Sequence, residues 1–80
     1  MIPYTIIDYN TTKKQVTIRL RDVLGNKHDL VVTADGLANH ELGIGYVQDN
    51  FKELSDNDRE LLMTGIPPSM WDDMFNEKII

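Results

Sequence analysis

Residues 54 to 75, Leu-Ser-Asp-Asn-Asp-Arg-Glu-Leu-Leu-Met-Thr-Gly-Ile-Pro-Pro-Ser-Met-Trp-Asp-Asp-Met-Phe, admit few local structures, because they hold start and stop signals for two helices joined at a Gly-Ile-Pro-Pro corner. Ser55 is placed to cap the first, its hydroxyl accepting from a free first-turn amide, while Asp56 and Asp58 complement the positive end of the helix dipole. That helix carries Leu61 and Leu62 toward a core and stops at Thr64-Gly65, where Gly supplies a left-handed residue and Pro67-Pro68 forbids continuation. One of the prolines opens the next helix. There Met70, Trp71, Met74 and Phe75 fall at i, i+1, i+4 and i+5, a broad apolar stripe, with Asp72, Asp73 and Glu77 elsewhere on the surface.

The first third of the chain has the other periodicity. Tyr4 to Tyr9 is rich in β-branched and aromatic residues and ends at Asn10-Thr11-Thr12-Lys13, a strand followed by a turn. From Gln15 to Arg21, Val16, Ile18 and Leu20 alternate with Thr17, Arg19 and Arg21, the period of a half-buried strand. Leu24-Gly25-Asn26-Lys27 provides a hairpin turn, and His28 to Thr33 resumes with Leu30, Val31 and Val32. A three-stranded antiparallel meander is predicted over residues 1–33.

Beyond Thr33-Ala34-Asp35-Gly36 the spacing changes, with Leu37, Ile44, Val47, Phe51 and Leu54 recurring as on one helix face. Gly43 and Gly45 interrupt that stretch, and each costs up to about 1 kcal/mol in a helix interior. The spacing therefore predicts helix near 46–53 and leaves 36–45 open between loop and helix. The expected fold is α+β, a single domain in which two or three C-terminal helices over 34–80 cover the meander.

Eighty residues make one domain, which at this size buries only about 60% of its unfolded surface. Without cysteine there is no disulfide or thiolate zinc site, which fits an intracellular setting. No run approaches the roughly 20 apolar residues that span a bilayer, and no basic stretch leads into an apolar one at the start, so the chain as written is expected to be soluble, unprocessed and not membrane-bound. Residues 1 to 40 hold four acids against five bases, and residues 41 to 80 hold nine against three. The acidic second half argues against nucleic-acid binding there and suits a basic protein partner, although such acids also serve simply to keep a helical surface soluble.

Candidate sites are few. The stripe of Met70, Trp71, Met74 and Phe75 has the composition of an interface hot spot, yet a chain with six aromatic residues also needs them in its core, and the core reading has the greater weight. Trp71 can serve both. The expected partner-binding residues are Met70, Trp71, Asp72, Asp73 and Met74 on the last helix, with Asp56 and Asp58 on the helix before it. His28 and His40, the only histidines, lack metal-site spacing and are expected to be solvent-exposed. Ser55 and Ser69 have no patterned His-Asp partners, and the acids lack a calcium loop, so no catalytic residue, cofactor or metal is expected. Lys13, Lys14, Arg19, Arg21 and Lys27 compose a candidate basic face with Tyr4 or Tyr9 for stacking, the basis of an alternative nucleic-acid reading.

The string Leu54-Ser55-x-x-Asp58-Arg59-Glu60-Leu61-Leu62-Met63-Thr64-Gly65-Ile66-Pro67 with Trp71-Asp72-x-Met74-Phe75 resembles the C-terminal module of small bacteriophage proteins. That resemblance implies a phage setting in the cytoplasm of a bacterial host and a small protein that acts by binding a host protein. A virion assembly role through self-association is the alternative from a different class.

Overall fold

The computed structural model describes residues 1–70. Three strands, β1 (Tyr4–Asn10), β2 (Gln15–Arg21) and β3 (Lys27–Thr33), form one antiparallel sheet in the order β1-β2-β3. Helices α1 (Ala34–Glu41), α2 (Val47–Asn50) and α3 (Asp56–Thr64) follow. The chain is thus α+β, a meander succeeded by helices.

Alternation on β2 decides which side of the sheet is the inside. Val16, Ile18 and Leu20 are buried, whereas Arg19 and Arg21 are exposed. Direct cross-strand partners share a face, so the register places His28, Leu30 and Val32 of β3 on the inner side and Lys27, Asp29, Val31 and Thr33 on the outer side. On β1 the pairs Tyr4–Leu20, Ile6–Ile18 and Tyr9–Val16 put those three side chains inward as well. Ile7 has no partner: the register shifts between Ile6 and Asp8, a bulge that lets the pattern resume one residue later.

The hairpin turns are set by side chains. Asn10 Oδ1 accepts from the Lys13 amide at 3.0 Å, and Lys14 closes the first turn at φ 52°, a left-handed position for a non-glycine residue. The second turn is longer than the predicted Leu24-Gly25-Asn26-Lys27. It runs from Asp22 to Asn26, with Asp22 N–H donating to Asn26 O at 2.9 Å and Gly25 at φ 87°, and β3 begins at Lys27.

The helical half departs from the predicted spacing. Thr33 caps α1, its hydroxyl accepting from Gly36 N–H at 3.0 Å, so a helix forms over 34–41, much of it in the stretch left open between loop and helix. Gly43 and Gly45, at φ 73° and 77°, reverse the chain and end any continuous helix, and only four residues of α2 remain of the predicted second stretch. Ile44, counted on the helical face, is 54% exposed. The buried Asn50 secures this reversal through its Nδ2, which donates to Ile44 O at 2.8 Å.

For α3 the structure follows the sequence. Ser55 Oγ accepts from Asp58 N–H at 3.2 Å, and Gly65 ends the helix at φ 74°, its N–H donating to Leu61 O. Residues 68–70 turn helical again beyond the Pro67-Pro68 corner. Arg59 joins α3 to the preceding segment, its Nη1 donating to Phe51 O and Leu54 O and its Nη2 pairing with Asp56. Two backbone bonds, Ile2 N to Leu62 O and Val23 N to Gly65 O, fasten the end of α3 to the start of β1 and to the second hairpin turn. The core gathers Val16, Ile18, Leu20, Leu30 and Val32 from the sheet with Leu37, Phe51, Leu54, Leu61 and Leu62 from the helical side. At about 25 cal/mol per Å² of apolar surface, this single layer is the main source of stability in a chain without disulfides.

Candidate partner-binding surface

The expected partner-binding residues have divided fates. Asp56 is exposed at the first turn of α3, paired with Arg59, and lines a shallow groove with Val47, Gln48, Glu60 and Met63. Asp58 is half-buried and its backbone is spent on the Ser55 cap. Met70, also half-buried, lies beyond the opposite end of α3, whose nine residues rise about 13 Å. The two acids are therefore together, but Met70 is apart from them. Trp71, Asp72, Asp73, Met74 and Phe75 lie outside the described residues.

Neither histidine is solvent-exposed as expected. His28 sits half-buried with Nε2 2.7 Å from Asp22 Oδ2, and the Asp22 side chain is fully covered. The other carboxylate oxygen accepts from Leu24 and Asn26 N–H, each at 2.9 Å. The His28 hydrogen bond holds the Asp22 carboxyl below its ordinary range; burial opposes that shift, and the two backbone N–H donors reinforce it. The spacing of Asp22 ahead of Gly25 was a readable turn signal, but its pairing with His28 appears only once the hairpin closes. Because the pair spends its acceptors on the turn, we assign it to structure. His40 packs tilted against Phe51, ring centroids 5.4 Å apart. Among the described residues no group of three His, Cys, Asp or Glu is arranged to hold a metal ion.

The predicted basic face is split. Arg19 Nε and Nη2 make a two-bond pair with Asp29 at 2.8 and 3.0 Å, which neutralises the guanidinium. Lys13 and Lys14 lie in the first turn, at the Asn10–Gln15 end of the sheet, whereas Arg21 and Lys27 pair at the opposite end. The register sends Tyr9 to the inner face at the far end of the sheet from Arg21, and Tyr4, which borders the groove holding Arg19 and Arg21, has its hydroxyl tied to Glu41.

Where the inner face of the sheet reaches β1, the described residues leave it open. Ile18 is fully buried and Val16 is 4% exposed, yet their direct β1 partners Ile6 and Tyr9 are 55% and 51% exposed. The helix α1 packs mainly beside β3 and α2, and α3 is fastened ahead of β1 through Ile2. Among the described residues Tyr4 is tied in: its hydroxyl donates to Glu41 Oε1 at 2.8 Å. Burial, with the adjacent Glu41 carboxylate, pushes its phenol up to about 12. Large apolar side chains on a core-facing strand, left at half exposure, are the most partner-like feature among the described residues.

No family model, curated protein or solved structure matches this chain. No helix among the described residues is long and apolar enough to cross a membrane.

Proposed function

We propose that this chain is a non-catalytic protein-binding module, acting stoichiometrically on a host protein in a phage setting, and that it docks through the β1 side of the sheet, which the described residues leave exposed. The observation that carries the reading is the exposure of Ile6 and Tyr9 on the face that buries Ile18 and Val16. A partner laid there would extend the existing apolar layer, where burial is worth about 25 cal/mol per Å². The resemblance of the Leu54–Phe75 string to small phage proteins supports the setting, and the acidic second half supports a partner with a basic rim. Met70, with Trp71, Asp72, Asp73 and Met74 beyond the described residues, contributes to the same module in this reading.

Self-association is the second reading, favoured by β1 being an edge strand. The Ile7 bulge breaks the regular ladder such pairing needs, so association would proceed through the face rather than the edge. A tagged copy incubated with bacterial lysate at low salt should enrich one host protein, and both Ile6→Asp/Tyr9→Ser and Trp71→Ala/Asp72→Lys should lose it. Sedimentation of the purified protein decides between the readings. A defined oligomer with no enriched protein would replace host binding by assembly.

A further inference from the structure

At the Tyr4–Leu20 end of the sheet, opening on its outer face, a shallow groove of about 520 Å³ is lined by Pro3, Tyr4, Ile7, Arg19, Arg21 and Lys27, among others. Two adjacent cross-strand pairs on this face obey opposite rules. Arg19 faces Asp29 and is neutralised by it; Arg21 faces Lys27, like charges placed directly opposite, an arrangement that destabilises a sheet. Arg21 donates one Nη1 bond to Gly25 O at 3.0 Å, which holds its guanidinium at the hairpin turn, and among the described residues no carboxylate pairs with Arg21 or Lys27. The bulge leaves Ile7 as an apolar wall of the groove beside these cations.

We propose that this groove is a seat for an acidic, extended polypeptide segment, with Arg21 and Lys27 receiving its carboxylates and Ile7 and Pro3 packing against its apolar side chains. An anion between the two cations would convert a repulsive pair into two attractive ones, and the groove's charge complements a carboxylate-bearing strand. Acidic polypeptide fits better than nucleic acid. Two cations beside an apolar wall suit a strand bearing a carboxylate or two and apolar side chains, whereas a phosphate backbone needs a continuous basic track, and the Tyr4 hydroxyl in the groove is already held by Glu41. This seat is on the side of the sheet opposite Ile6 and Tyr9, so it stands or falls apart from the function proposed above.

The test is an NMR titration of isotope-labelled full-length protein with a short peptide alternating Glu and Val, beside its Gln/Val counterpart. Saturable shifts should map to the backbone of Thr5, Ile7, Arg19, Arg21 and Lys27 with the Glu peptide only. Affinity should fall roughly tenfold on moving from low to physiological salt. Arg21→Ser/Lys27→Ser should lose binding while melting no lower than the parent. Lys27→Glu, which makes the pair opposite in charge, should melt higher and also fail to bind. Equal binding of the Gln peptide, shifts confined to the Ile6 and Tyr9 side, or full binding by the double variant would overturn the proposal. Tighter binding of a single-stranded oligonucleotide than of the Glu peptide would replace it with a phosphate partner.

Discussion

At Gly36 the absence of a side chain sets how closely α1 approaches α2. A Cβ there would lie 2.0 Å from Asn50 O and 2.7 Å from Thr33 Oγ1, the hydroxyl that caps the helix. Alanine favours a helix over glycine by about 1 kcal/mol, but displacing backbone costs more. Gly36→Ala should therefore lower unfolding free energy by about 2–3 kcal/mol in urea denaturation; an unchanged or higher midpoint would show that α2 moves freely. Asp22 controls the acid limit in a similar local way. Its carboxyl, and that of Asp29 beside Arg19, bind a proton more weakly in the folded chain than at the ordinary value near 3.8. A lowered folded value contributes stability that is complete above the unfolded value and is lost as pH falls through the folded one. Stability should thus decline below about pH 4. Asp22→Asn, which keeps an acceptor for Leu24 and Asn26 N–H but cannot ionise, should flatten part of that decline when circular dichroism is followed against pH.

Among the elements, α3 and β2 were legible because each repeats one signal. Ser55, the first-turn acids, Leu61-Leu62 and Gly65 all specify the same helix, and the alternation of Val16, Ile18 and Leu20 fixes the buried face of β2. Ser55→Ala removes the bond to Asp58 N–H and should cost about 1 kcal/mol, read as a lower denaturation midpoint with an unchanged slope. An effect near zero would mean that water or Asp56 replaces the cap. The middle segment misled for a physical reason. Leu37 and Ile44 are seven apart, but the glycines at 43 and 45 take positive φ and turn Ile44 outward, so matching spacing did not mean a shared helix face. Thr33 was the missed start signal for α1. On β1, composition announced a strand, but no sequence period reports the Ile7 bulge or whether a helix lies over Ile6. Likewise the basic face was read as one surface, whereas pairing register separates Lys13 and Lys14 from Arg21 and Lys27.

At the scale of the molecule, three strands and a few short helices close one core within residues 1–70, and β1 is where the cover those residues give runs out. The pair Ile6–Ile18 provides an internal control on what that exposure means. Both are isoleucines at one register position, facing the same side of the same sheet, one 55% exposed and the other fully buried. If Ile6 is present for folding, changing it should resemble changing Ile18. If it is kept for a partner, the two should separate. Ile18→Ala should lower stability by about 2–5 kcal/mol, because it leaves a cavity that the sheet cannot collapse around. Ile6→Asp with Tyr9→Ser should shift stability by only about 0.5 kcal/mol, as for substitutions on a solvated surface, while abolishing capture of the host protein or, in the second reading, the oligomer. Chemical denaturation and the binding assay on the same preparations decide it. A loss from the β1 variant as large as that from Ile18→Ala would make the strip part of the core and remove the main support for a docking face on this side of the sheet.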